Sequence, residues 1–319
     1  MRRREFITSV AAVAVAAASG ETVVSRAESR PSGQLPRRPY GKTGIELSLV
    51  GLGGIVVSNI GQSEANEIVA WGVDRGVNYF DVAPSYGNAQ ERLGPALKPY
   101  RKAVFLACKT QRRDSPGAQK ELEESLRLLK TDHIDLYQLH ALGTVEEVDK
   151  VMAPGGAMEV FVRAREKGQV RYLGFSAHSV GAALKAMDAF GFDSVLFPLN
   201  VVCIQNGAFG LQVIEKARKK GVVRLALKAM AWRPVGKDEK PPFDKCWYVP
   251  SSDPSLAGSC LYYTLGLPIT AVIPPGDPGL FRLAVEFGMN YQPLSEKERE
   301  NLIARTKGVE PTFRQTTGD

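Results

Sequence analysis

Short apolar segments alternate with amphipathic stretches along most of the chain, and this predicts an α/β fold whose parallel sheet closes into a barrel, a (β/α)8 TIM barrel with an N-terminal β-hairpin. Two further observations lead to the same class. The 319 residues, 44% apolar and 24% charged, can bury one large core, and a barrel of about 250 residues fills most of that length. Polar side chains able to do chemistry recur at the ends of the apolar segments, where barrels of this kind carry their sites.

In chain order, residues 39–44, with Gly41-Lys42-Thr43-Gly44, read as the turn of a hairpin closing the amino-terminal mouth. Residues 47–53 read as the first barrel strand, and Gly53 and Gly54 at its end allow a ligand to approach the backbone closely. Strands are then expected at 77–82, 103–109, 134–140, 170–176, 194–199, 222–228 and 269–273. Helices are expected between them, at 63–75, 90–98, 118–130, 145–151 with 156–167, 180–190, 210–220, 256–265 and 278–287. The segment 118–130 places Leu122, Leu126 and Leu129 at helical spacing and pairs Glu123 with Arg127. Ser295-Glu296-Lys297-Glu298 resembles a capping box opening a last surface helix that runs to about residue 306. The connection 229–254 is unusually long and rich in Trp, Tyr, Phe and Pro, so it is expected to wall a pocket at the carboxyl-terminal face.

The amino terminus reads differently. Arg2-Arg3-Arg4 is followed by an apolar Ala/Val run of about 13 residues, too short to span a bilayer. Arg3-Arg4-Glu5-Phe6-Ile7 resembles the twin-arginine export motif. The expected division is a signal peptide over 1–20, a disordered linker over 21–35 and a barrel domain over 36–319. Export in the folded state through the twin-arginine translocase would place the mature protein outside the cytoplasm, in the periplasm or an equivalent compartment. Part of the +7 net charge lies in this leader, since Arg2, Arg3 and Arg4 outweigh Glu5 there and the remainder carries +5. That is a solvated surface rather than a nucleic-acid face.

Four cysteines show no metal spacing, and no metal site is expected. Cys108 reads as a small buried hydrophobe. Only Cys246 and Cys260 are candidates for pairing after export, and a precursor folded in the cytoplasm would leave it with reduced thiols.

The chemistry gathers at three successive strand ends. Gly76-Val77-Asn78-Tyr79-Phe80-Asp81 ends in Asp81, with Tyr86 five residues on; the next two strands end in Lys109 and His140. A carboxylate in an apolar strand is costly unless a cation or donors meet it. Lys109 near Tyr86 would stabilise phenolate and lower its pKa from about 10, while Asp81 would keep the amine protonated and aimed. Tyr86 then suits a general acid and base, and His140 suits a donor that orients a substrate oxygen. Alone, each residue has a structural reading: a loop-capping Asp, a wall tyrosine, a surface lysine, a core histidine.

On these residues, and on Leu47-Ser48-Leu49-Val50-Gly51-Leu52-Gly53-Gly54, Asp135-Leu136-Tyr137-Gln138-Leu139-His140 and Gly168-Gln169-Val170-Arg171-Tyr172-Leu173-Gly174-Phe175-Ser176, the chain resembles the aldo-keto reductase family from about residue 38 to residue 304. The resemblance implies a catalytic tetrad of Asp81, Tyr86, Lys109 and His140, and hydride transfer between NADP(H) and an aldehyde, ketone or alcohol, with NAD(H) not excluded. It implies a cofactor site drawn from Gly53, Gly54, Asp81, Ser176, His178, Lys228, Pro274, Gly276 and Arg282. The match thins there: Leu196 and Leu227 stand where the family carries a Gln and a nicotinamide-stacking aromatic, and Asp277 lies in the expected phosphate loop. A second reading keeps the fold without turnover, as a cofactor-binding sensor or regulatory protein.

Overall fold

The computed structural model describes residues 33–316. The expected signal peptide and residues 21–32 of the expected linker lie outside the described residues. Leu35, placed in the linker from the sequence, is instead buried at 4% exposure. Its N–H bonds the carbonyl of Arg75 at 2.8 Å, because an isobutyl group beside Val50 and Gly288 is more stable covered than wet.

A hairpin comes first. Strands β1 (Arg37–Pro39) and β2 (Glu46–Ser48) pair antiparallel, with Arg38 opposite Leu47. The Arg38 guanidinium donates to the carbonyls of Ile269 and Leu265 at 2.9 and 2.8 Å and ties the hairpin to the barrel. The expected first strand is therefore divided. Leu47 and Ser48 belong to the hairpin, and only β3 (Leu52–Gly53) joins the barrel sheet. The chain bends between them at Leu49, and at Gly51 a Cβ would stand 2.5 Å from the Tyr79 ring.

Eight parallel strands form one sheet: β3, β4 (Tyr79–Asp81), β5 (Phe105–Thr110), β6 (Ile134–Leu142), β7 (Val170–Ala177), β8 (Ser194–Pro198), β9 (Val223–Leu227) and β12 (Ala271–Ile273). A parallel bridge from Val50 to Val272 brings the first edge to the last. Helices α1 (Gln62–Asp74), α2 (Ala89–Leu97), α3 (Ser115–Leu128), α4 (Val145–Met152), α5 (Met158–Glu166) and α6 (Val180–Ala189) follow the first strands. The remainder are α7 (Val201–Gly207), α8 (Leu211–Lys220), α9 (Pro254–Leu265), α10 (Pro278–Met289) and α11 (Glu296–Arg305). The capping box at Ser295 and Glu298 is present as expected.

Strand periodicity decides what faces inward. Tyr79, Phe105, Ala107, Leu136, Leu196, Val223, Leu225, Ala271 and Ile273 form one buried cluster with Tyr40 and Leu47 of the hairpin. Phe80, Leu106, Cys108, Tyr137, Leu139, Leu173 and Phe175, at the alternate positions, pack in the larger cluster that includes the helices. A side-chain period of two therefore carries Asp81, Lys109, Gln138 and His140 to the inner face above the first cluster. Tyr40 closes the floor, its ring 5.0 Å from Phe105 and 5.2 Å from Tyr172.

Two elements differ from the sequence reading. Val201–Gly207 is a short helix, α7, capped by Asn200, whose Oδ1 accepts the Cys203 N–H; its β-branched start hid it in the apolar run of β8. The long connection is not structureless, since β10 (Ala231–Pro234) and β11 (Tyr248–Pro250) pair antiparallel within it. All four cysteines are buried and free, including Cys246 and Cys260. No helix among the described residues is long and apolar enough to cross a membrane.

Helix α2 is packed tightly enough to test. A Cβ on Gly94 would lie 2.3 Å from the carbonyl oxygen of Leu128 and 2.9 Å from the Leu129 backbone. Gly94→Ala gains helix propensity of about 1 kcal/mol, but overpacking against backbone costs about 1–3 kcal/mol. A lower urea midpoint with unchanged slope is expected; a raised midpoint would show that the α2–α3 contact yields freely.

Candidate active site

Asp81 ends β4 inside the barrel, 2% exposed, in register with Ala107 of β5 and Gly53 of β3. Two residues beyond Ala107, Lys109 reaches back, 1% exposed, and its ammonium bonds Asp81 Oδ1. Such a pair is unstable in a dry interior unless its remaining valences are met. Here the other carboxylate oxygen accepts the Gln138 Nε2 at 2.8 Å and the Tyr79 hydroxyl at 3.4 Å. The ammonium also donates to the Tyr86 hydroxyl at 3.3 Å. Burial alone would push Lys109 down, but Asp81 and Tyr86 together raise it above its ordinary value, so the amine is cationic.

Tyr86 corrects the expectation drawn from sequence. Burial raises its phenol above the ordinary value; Lys109 pulls down, and Asp81 pushes up again. The lysine was expected to win, but burial outweighs it and the Asp81 charge opposes it. The phenol is therefore held protonated.

His140 stands over this pair. Its ring meets the Tyr86 ring edge-on, centroids 5.6 Å apart at 83°. Arg113 holds the backbone in place, donating from Nη2 to the His140 carbonyl at 2.8 Å. The next residue, Ala141, has φ +53° and gives its N–H to Ser176 Oγ at 2.7 Å, which joins the ends of β6 and β7. Burial, then the charges of Lys109, His178, Arg113 and Lys228, pushes His140 down to about 2. Its Nδ1 is buried without a hydrogen-bond partner among the described residues.

These side chains open into a cavity of about 340 Å³ at the carboxyl ends of the strands. Asp81, Tyr86, Lys109 and His140 line it, and so do Gly53, Ser176, His178, Lys228, Pro274 and Gly276. The sequence-derived constellation thus converges except at two positions. Gly54 lies behind the wall, where a Cβ would meet Val82 at 2.6 Å. Arg282 is exposed on α10 with its guanidinium 5.4 Å from the Trp71 ring, where a flat cation stacks on indole. His178 is half-buried beside Lys228, with Nζ to Nε2 at 3.3 Å, and burial followed by the Lys228 charge pushes it down to about 3.

Sequence reasoning missed several lining or supporting residues. Gln138 lies two positions before His140, hence on the same strand face, and that spacing alone would have found it. The long connection contributes Lys245, Trp247 and Tyr248, as its aromatic content foretold in general. Phe313 had no signal, being beyond the last helix. The tail returns because Gln315 N–H bonds the Gly207 carbonyl and Arg314 bonds that of Asn206, and Phe313 then stacks on Phe209.

Residues 50–240 match the model of the aldo/keto reductase family. The chain spans about half the length of the curated relatives it first matches: it is 32% identical to aldo-keto reductase YhdN of Bacillus subtilis over 170 residues, 46% of this chain and 47% of that one. It is 27% identical to a 6-dehydroglucose reductase of Novosphingobium aromaticivorans over 62% of this chain and 68% of that one. In fold it resembles the holo form of an aldo-keto reductase from Bacillus halodurans, with a TM-score of 0.70 and 20% identity over 90% of this chain and 100% of that one.

Both cavity histidines are held far below an ordinary imidazole, so their rings stay neutral in the folded protein. Unfolded, they titrate near pKa of about 6.5. Below that pH the unfolded chain takes up protons that the folded one refuses, so stability is expected to decline as pH falls from about 6.5. Ring signals of His140 and His178 in NMR should keep neutral shifts down to about pH 5; a midpoint near the ordinary value for either ring would contradict the burial described here.

Proposed function

Because the chain belongs to the aldo/keto reductase family, we propose that it transfers a hydride between NADP(H) and an aldehyde or ketone, or the corresponding alcohol, with Tyr86 as general acid and base. One observation carries this reading: a single buried ammonium, Lys109, bonds both a carboxylate and the phenol of a residue that lines the cavity.

The residues present fit a dinucleotide. Ser176 and His178 offer polar contacts for a carboxamide beside an apolar wall of Leu196 and Leu227. At the other end Lys245, Pro274 and Gly276 surround the start of α10, and Gly276 is a close fit, since a Cβ there would meet Ile55 at 2.2 Å. A helix amino terminus favours phosphate. Asp277 already caps that helix through the Leu280 N–H at 3.0 Å, which leaves fewer free amides for an anion. When bound, the cofactor supplies or accepts the hydride at the carbonyl carbon. NADP(H) is the reading preferred; a relative from Schizosaccharomyces pombe, 28% identical over 47% of this chain, carries NADP(+) in its name. With Arg282 turned to Trp71, no described arginine of α10 faces the cavity for a 2′-phosphate, and NAD(H) is the alternative to titrate beside it.

The protein's own residues do the proton chemistry. In reduction the Tyr86 hydroxyl donates its proton to the carbonyl oxygen as negative charge develops there. Lys109, 3.3 Å away, stabilises the phenolate left behind. Asp81 keeps Lys109 charged and, through Gln138 and Tyr79, fixed in direction. His140 is neutral and so keeps one ring N–H to orient the same oxygen. A phenol held protonated is ready as a donor, which suits reduction.

Leu227 favours a second reading, because an aliphatic wall replaces the aromatic expected beside the nicotinamide. On that reading the protein binds the cofactor and turns over weakly, as a sensor. The two are separated by titrating NADPH and NADH by fluorescence and then assaying a carbonyl panel. Tyr86→Phe is expected to lower carbonyl reduction by about 10²–10⁴-fold while the cofactor dissociation constant changes little. A Tyr86→Phe protein that turns over like its parent would refute the role given to this phenol.

A further inference from the structure

Lys228 is, with Lys245, one of two lysines of this cavity that the proposed proton chemistry leaves unused. It lines the cavity at the end of β9, with φ +61°, a left-handed conformation uncommon outside glycine. Its ammonium lies 5.3 Å from the Trp247 ring centroid and 5.2 Å from that of Phe313, so two elements distant in sequence pack around it. The Trp247 and Phe313 rings are themselves in edge contact at 5.8 Å. Its polar partner is His178 Nε2 at 3.3 Å, a neutral ring.

The other charges of the cavity are accounted for. Asp81 belongs to Lys109. Lys245 donates to the Val56 carbonyl at 2.9 Å and has Glu64 and Asp277 as acidic neighbours. Lys228 makes no ion pair among the described residues. Burial, with Lys109 adding to it, pushes this amine down to about 7. A cation held without a counter-ion beside aromatic walls gains most from an anion that enters with the ligand.

We propose that Lys228 is a specificity residue, holding a carboxylate on the carbonyl substrate, so that the enzyme prefers oxo acids over neutral aldehydes of the same shape. This rests on the carbonyl-reductase reading above. The same ammonium could meet a phosphate of the dinucleotide. The geometry favours the substrate, because Lys228 lines the same cavity as Tyr86, Lys109 and His140 and sits beside His178. Lys245 and Gly276 stand instead at the start of α10. A carboxylate on Lys228 and a carbonyl between Tyr86 and His140 would be the two anchored ends of one small molecule.

The test compares matched pairs: 4-carboxybenzaldehyde with 4-methylbenzaldehyde, and 4-oxobutanoate with butanal. The wild-type protein should show kcat/KM higher for the acid of each pair by about tenfold or more, the worth of one charged hydrogen bond. Lys228→Met should erase most of that ratio, mainly through KM of the acids, and Lys228→Arg should keep much of it. NADPH titration of each variant reports folding and shows separately whether the dinucleotide has lost a contact. The inference is overturned if the wild type does not prefer the acids in either pair, a result that needs no variant. It is overturned equally if Lys228→Met weakens NADPH while leaving the ratio intact, which would assign the lysine to phosphate. A wild-type protein that reduces none of the four with NADPH or NADH counts against the carbonyl-reductase reading itself.

Discussion

A buried ion pair organises this site, and much of the barrel's upper rim is arranged so that the pair can exist. Asp81 and Lys109 are almost wholly removed from water. In a medium of low polarity either one alone would be neutralised or expelled. Both survive because neighbouring strands deliver complementary groups at fixed spacing. β5 brings the ammonium, β6 brings the Gln138 amide, and β4 itself brings the Tyr79 hydroxyl. Parallel strands in register supply this cheaply, since inward positions recur every second residue on each strand.

The same pair explains the character of the phenol. Lys109 draws the Tyr86 pKa down, but burial outweighs it and the Asp81 charge adds to burial. The result is a protonated hydroxyl held next to a cation that will stabilise the anion once the proton has gone. His140, neutral for reasons of burial and of surrounding positive charge, adds a donor rather than a second cation. Two left-handed residues, Ala141 and Lys228, flank this region at the ends of β6 and β9. Strain at such positions is retained when the surrounding contacts over-determine it, and here those contacts are the Ser176 hydroxyl and the aromatic pair Trp247 and Phe313.

The cavity wall has a different origin from its floor. Its floor is local, made of strand ends and the loops directly after them. The wall on the side of Lys228 is lined by the β10–β11 hairpin, and the carboxyl-terminal tail packs against it where Phe313 meets Trp247. Trp247 is 58% exposed, an unusual position for an indole and one that fits the rim of a ligand site. Substrate preference within a shared fold is expected to reside in such connections rather than in the strands.

The sequence by itself determined the alternation of strands and helices, the hairpin turn, the capping box of α11 and the acid, phenol, amine and imidazole near successive strand ends. These are short-range properties: a period of two, a cap three residues from its partner, a turn of four. Only the tertiary structure decided that residues 47–53 divide between hairpin and barrel, that Leu35 is core, and that Val201–Gly207 coils. It alone showed that Phe313 returns to pack beside His178 and Lys228 and that Arg282 turns away from the cavity. It also reversed the direction assigned to the Tyr86 pKa. Each of these depends on how much water is excluded and on which distant segment does the excluding, and neither quantity is carried by any local pattern.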